Sequence, residues 1–290
     1  MKSLLKSVQV YNIEESWSFD RNTLEEALEH HSSKPLGRMD MKNIGWDSFD
    51  NGEQVITSGH NVLIRLIERK KVVPPAAVKE AMKKEIAKFE AYTGMPPKAK
   101  EKRNMKESVL MQILPKALEV SKHIHVVLNT DKKRLYIEAS STKAADDIAA
   151  LIIKTLGINI TPIDSSDMVA LMTNWMLRGE SEDGSLKIGD SCGLEAVDEK
   201  KSKVKFSKVD LNAEECKEHV NLGYRVMEIE MYIDGCVNFT VNKDFVIKKI
   251  SFDNMFAEEI DYDDEISNYM ASMEVFVDSM GKIQDSIFAD

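Results

Sequence analysis

The sequence predicts an α+β protein: a mixed α/β body, interrupted by a basic helical-hairpin finger and followed by an α+β base domain. Three observations predict it. Strand-like alternation and short amphipathic helices mix over the first 70 residues, and the same mixture resumes after residue 120. Between them, Pro74-Pro75 opens a stretch with helical periodicity and dense lysine. After the acidic, glycine-bearing loop GESEDGSLKIGD, strands lead to a closing helix with a long apolar stripe. The expected divisions are 1–73 with 117–178 for the body, 74–116 for the finger and 179–290 for the base domain.

LLKSVQVYNI alternates like a strand, and NTLEEALEHH reads as a short helix with Asn22 and Glu25 forming a capping box. VITSGHNVLIRLIERKKVV reads as two strands. After the prolines, Val78, Met82, Ile86 and Phe89 recur on one helical face, with Lys79, Lys83, Lys84 and Lys88 largely off it. Gly94 and Pro96-Pro97 stop that helix, and Met105, Val109 and Ile113 define a second one running to Pro115. The two form a hairpin with KAKEKR as its basic tip, each narrow apolar stripe covering the other. HIHVVLN and RLYIEA, joined by TDKK, predict a β-hairpin. SSTKAADDIAALIIKTLG is a helix capped by Ser or Thr and stopped at Gly157, with INITPI a strand and a helix around Asn174-Trp175-Met176 following. NAEECKEHVNLG predicts a helix with a capping box from Asn212 to Glu215. In the last helix Ile266, Met273, Met280 and Ile287 repeat every seven, while Met270 and Val277 widen the stripe. A wide stripe favours docking on a sheet over a free coiled coil. The 16 methionines are read mainly as fillers of core gaps.

Charge is distributed unevenly. The net charge is −10, yet the segment from Arg65 to Lys106 carries 13 Lys+Arg against 5 Asp+Glu, so the remainder must carry −18. A basic segment in an acidic chain suits a polyanion, although a solvated helical face gives the same pattern. No apolar run approaches the roughly 18 residues of a membrane span. The start is a poor signal peptide, and Cys192, Cys216 and Cys236 fit buried thiols in a reducing cytoplasm. No catalytic signature emerges. His123 and His125 share a strand face but lack a third metal ligand, and Ile266 stands where a calcium loop beginning at Asp261 needs glycine. No cofactor and no metal are expected.

The ordered motifs MDMKNIGW, VLIRLIERKKVVPPAAVKEAMKKEIAKFEA, VLMQILPKAL, EASSTKAADDIAALIIKTLG, TNWMLRG and KVDLNAEECKEHVNLG resemble the bacterial recombination-associated RdgC family. The resemblance implies a closed ring dimer whose basic hole surrounds DNA without much sequence preference, with double-stranded DNA the expected partner and single-stranded DNA a further one. It further implies restraint of RecA-type recombinase strand exchange, in a cytoplasmic, nucleoid-associated protein without catalytic activity. Expected DNA contacts are Lys79, Lys83, Lys98, Lys100, Lys102, Arg103, Lys106 and Lys208, with Leu114 and Leu118 at the dimer contact. Leu118 stands where the family usually has phenylalanine, and Val209 follows Lys208 where a polar residue is more usual. The alternative is an interaction protein that inhibits a recombination protein directly, its basic hairpin docking on an acidic partner surface.

Overall fold

The computed structural model describes residues 3–253, 262 and 264–288. Asp261 and Asp263 of the rejected calcium-loop segment lie outside them. The protein is α+β, and all the strand pairings named below are antiparallel. Its chain forms two compact units: 1–27 with 48–64 and 125–290, and 28–47 with 65–124. The larger unit thus runs through Gly179 into the C-terminal segment without a break.

In the larger unit the strands lie in the order β6-β1-β12-β11-β10-β8-β9. They are β1 (Ser7–Ile13), β6 (Arg134–Glu138), β8 (Lys187–Ala196), β9 (Lys203–Phe206), β10 (Tyr224–Ile233), β11 (Val237–Asn242) and β12 (Val246–Phe252). The last residues of β5 (Leu118–Asn129) pair with β6 across the TDKK turn, and β7 (Ile160–Pro162) pairs with β1. β3 (Val55–Ser58) pairs with the start of β4 (Asn61–Val72). Alternation places Val8, Val10 and Tyr136 in the core together with β10 residues such as Ile229 and Met231.

Helices cover this core. α4 (Thr142–Leu156) begins where the Ser141 hydroxyl accepts from Ala144 N–H and ends at Gly157, both as its sequence predicts. α5 (Met168–Arg178) buries Met168, Met172, Trp175 and Met176 on β8 and β10. α7 (Glu265–Ile287) is capped by Asp264, whose carboxylate accepts from the N–H groups of Ile266 and Ser267. Its wide stripe docks on the sheet as expected. Met273, Phe276, Met280 and Ile283 are buried, and Phe276 meets Tyr136 edge-to-face with centroids 5.4 Å apart. The methionine reading holds for these positions, whereas Met39, Met41, Met95 and Met111 are exposed.

Two caps differ from expectation. α1 (Arg21–His30) starts one residue before Asn22, and Asp20 caps it by accepting from Thr23 N–H at 2.8 Å and from its hydroxyl at 2.6 Å. Glu25 pairs with Arg21 instead, at 2.8 Å. α6 (Glu214–Asn221) starts two residues after Asn212, which lies against Gly179 and forms no capping box. At α1 several polar residues compete for one cap and Asp20 takes it, whereas at α6 the N-cap position falls on Ala213 and no side chain caps the helix.

In the smaller unit β2 (Lys42–Asp47) pairs with the second half of β4. Gly45 needs its missing side chain, because a Cβ there would lie 2.6 Å from Ser33 Cα. Trp46 beside it is buried, its N–H donating to His31 C=O and its C=O accepting from Ser33 N–H at 2.8 Å. This close approach is a physical reason for a Gly-Trp pair.

Candidate nucleic-acid interface

The smaller unit also contains α2 (Pro75–Thr93) and α3 (Ala99–Ile113), which pack on each other as a helical hairpin. Pro75 opens α2 where its missing N–H would have no helical partner. At 19 and 15 residues the helices are about 28 and 22 Å long. Gly94 ends α2 at φ +69, a left-handed conformation costly for other residues, and its N–H donates to Glu90 C=O. Thr93 Oγ1 donates to Phe89 C=O at 2.8 Å, tightening the last turn. At the start of α3 the Glu101 carboxylate accepts from Lys98 N–H at 2.6 Å.

The predicted stripes are correct. Val78, Met82, Ile86 and Phe89 are half-buried on α2, as are Met105 and Ile113 on α3, while Val109 is fully buried. One expectation is corrected. KAKEKR is not the tip of the hairpin: Lys98 flanks α3, and Ala99 to Arg103 form its first turns, because Pro97 leads directly into a helix. The connecting tip is Gly94–Pro97, and it is apolar. Tyr92 is 92% exposed and Met95 68%.

All of Lys79, Lys83, Lys98, Lys100, Lys102, Arg103 and Lys106 are exposed. Among the described residues only Arg103 of these has an acidic partner, Glu107 at 3.5 Å, in an exposed pair worth little. Lys84 has none, and Lys88 pairs with Glu85 at 2.8 Å. Lys79/Lys83, Lys84/Lys88 and Lys102/Lys106 are spaced by four, and Lys100/Arg103 by three. Like charges at these spacings repel one another across one helix face. The pairs lie on different faces, so positive charge runs around the hairpin and not along one stripe. Lys98, Lys100 and Lys102 also crowd the positive end of the α3 dipole, where acidic residues are favoured and only Glu101 supplies one. Within the free protein this arrangement is self-repelling.

The leucines part company. Leu114, in a single 3₁₀ turn after α3, is 5% exposed and already covered within one chain, so it is not free for a dimer contact. Leu118, at the start of β5, is 78% exposed, and Val120 two residues on shares its strand face and is 41% exposed. Lys208 belongs to the larger unit, at φ +57 after β9; the Ser191 hydroxyl and a hydrogen bond shared with Glu230 hold the Asp190 carboxyl below its ordinary range, helped by the Lys208 N–H and ammonium. Lys200, Lys201, Lys203 and Lys205 are exposed along the same segment, and Lys203 pairs with Glu195 at 3.2 Å. Sequence reasoning missed these four, although five lysines between 200 and 208 are a visible signal.

The described residues contain no group of three His, Cys, Asp or Glu able to hold a metal. His123 pairs with Asp47 at 3.2 Å, and His125 with Glu138 at 3.1 Å. The three cysteines are buried and free, and burial pushes the Cys192 thiol up to about 12. No helix among the described residues is long and apolar enough to cross a membrane.

The sequence matches the family described as "RdgC: Putative exonuclease, RdgC" over residues 4–289. Similar proteins include the "Recombination-associated protein RdgC" of Psychromonas ingrahamii, 27% identical over 98% of this chain and 96% of the relative. The protein of the same name from Cupriavidus necator is 28% identical over 88% and 86%. That from Shewanella sediminis is 26% identical over 97% and 99%. A match of this extent, over a fold in which each of the quoted motifs has its structural place, identifies the chain as a member of the recombination-associated RdgC family.

Proposed function

We propose that this protein binds duplex DNA without sequence preference, as a ring-shaped homodimer, and restrains RecA-type strand exchange by occupying the DNA. The observation that carries the reading is the set of exposed, unpaired lysines surrounding the α2–α3 hairpin. Lysine and arginine side chains contact phosphate oxygens on any sequence, and their repulsion within the free protein is relieved when they do so. Exposed Leu118 and Val120 supply the apolar surface for a second copy. Action by occupancy needs no catalytic group, and the relatives' names connect the family with recombination.

The apolar tip favours a second reading. Tyr92 and Met95 suit a protein surface better than a phosphate backbone, as expected of an inhibitor that touches a recombination protein directly. A gel shift on random duplex without divalent metal, at two salt concentrations, tests the first reading. Retardation that weakens steeply with salt is expected. Absence of retardation, together with binding of a recombinase in the absence of DNA, would establish the second.

A further inference from the structure

A polar groove in the larger unit, about 530 Å³ in volume, lies where β1, the β5–β6 turn and the last turns of α7 meet. That size falls within the roughly 300–1,000 Å³ of small-molecule sites. Two cations enter it, Lys132 from the turn and Arg134 from the start of β6. Neither has an acidic ion-pair partner among the described residues. Lys132 is positioned at both ends. Its N–H donates to Asn129 Oδ1 at 2.6 Å, and its ammonium stands over Gly281, where a Cβ would lie 3.1 Å from Nζ.

The other polar groups are two acceptors and an amide, with an aromatic beside them. Asn12 lines the groove, and its Oδ1 is shut off from solvent with no hydrogen-bond partner, a state that costs free energy and that a ligand donor relieves once the side chain turns into the groove. Asp285 offers a carboxylate, and its charge converges with that of Arg134 on buried Tyr136. Burial pushes that phenol up, Arg134 opposes the shift and Asp285 adds to it. The Tyr136 hydroxyl donates to Gln284 Oε1 at 3.3 Å, leaving the Gln284 amide nitrogen as a donor. Phe288 borders the groove, its ring held 5.1 Å from that of Phe245.

We propose that this groove binds a 5′-phosphorylated nucleoside, free or at the end of a DNA strand. The phosphate pairs with Lys132 and with the planar fork of Arg134. Sugar hydroxyl or base amine groups donate to Asn12 Oδ1 and Asp285, and the base lies against Phe288. Inorganic phosphate leaves the acceptors unmet and most of the volume empty. A triphosphate brings more negative charge than two cations neutralise beside Asp285. One phosphate on a hydrogen-bonding ring satisfies both.

Calorimetry on the full chain tests this with deoxyadenosine monophosphate, deoxyadenosine and inorganic phosphate. The monophosphate should bind at least about tenfold more tightly than either fragment. Lys132→Gln and Arg134→Gln should each weaken it about tenfold or more, as loss of a charge-assisted contact does. Gly281→Ala should weaken it by displacing the ammonium. Lys132 is exposed on a turn, so its variant reads binding even if Arg134→Gln folds poorly. The source is read with short single strands carrying 5′-phosphate or 5′-hydroxyl, on protein with Lys98, Lys100, Lys102 and Arg103 changed to glutamine. Preference for the phosphorylated strand assigns a DNA end, and equal affinity for the two strands while the free monophosphate still binds assigns the nucleotide. No binding of the monophosphate at millimolar concentration overturns the proposal, as does affinity equal to that of phosphate alone or unchanged in Lys132→Gln.

Discussion

Replacing Lys98, Lys100, Lys102 and Arg103 with glutamine removes four positive charges from the start of α3 and touches no stripe position. All four side chains are exposed, and the one cap contact there, from Lys98 N–H to Glu101, uses backbone and survives. Folding should be unchanged, with melting slightly raised as like charges are removed. The magnitude for DNA follows from the helix. Each neutralised phosphate contributes about 0.9 to the slope of log K against log salt, so four contacts would remove about 3.6. At about 100° per residue, however, Lys100 and Arg103 lie on one side of α3 and Lys102 on another. A duplex against one side meets about two of the four, and the slope should fall by about 1.8. Over a fourfold rise in salt that corresponds to roughly a twelvefold smaller loss of affinity. Fluorescence anisotropy on random duplex at several salt concentrations measures it. Glutamine at Lys143 and Lys154 on α4 serves as control. A slope unchanged in the quadruple variant, or reduced equally in the control, would refute phosphate contact at the hairpin.

Three other outcomes are expected. Sedimentation should give a dimer at micromolar protein, and Leu118→Asp should weaken it by roughly ten- to a hundredfold, since burying a leucine is worth about 1.5–3 kcal/mol; a wild-type monomer would sink this. Gly45→Ala should cost about 1–3 kcal/mol in urea unfolding, because its Cβ meets Ser33 backbone and not a flexible side-chain end; an unchanged midpoint would show that Ser33 yields freely. Hydrogen bonds from Ser267, first its backbone N–H and then its hydroxyl, hold the Asp264 carboxyl below its ordinary value of 3.8. A depressed folded pKa means stability that is present above 3.8 and lost as pH falls through the folded value. Asp264→Asn should therefore flatten the acid limb of a stability–pH curve below about pH 4, and parallel acid limbs for the two proteins would contradict it.

Short-range information made much of the hairpin legible. Pro75, the stripe from Val78 to Phe89, the stop at Gly94 and the stripe on α3 each involve residues within a turn or two of one another. Charge excess was equally legible, since long basic side chains seldom bury and their exposure needs no tertiary knowledge. Local reading failed where neighbours compete for one role. Asp20 and not Asn22 caps α1, and KAKEKR begins a helix in place of forming the tip.

Leu114 and Leu118 show the limit most plainly. The same side chain four residues apart is covered at one position and exposed at the other, because one ends a helix inward and the other opens a strand. The polar groove lay further still from view. Asn12, Lys132, Arg134 and Gln284 are brought together only by the pairing of β1 with β6 and the docking of α7. Sequence by itself determined the α+β class, most of the helices, the basic hairpin and the ordered motifs that mark the family. Tertiary structure alone decided which caps form, which leucine is covered and which exposed, and which charges remain unpaired. Periodicity and turn chemistry act over a few residues, whereas burial and pairing depend on groups that the chain brings together from far apart.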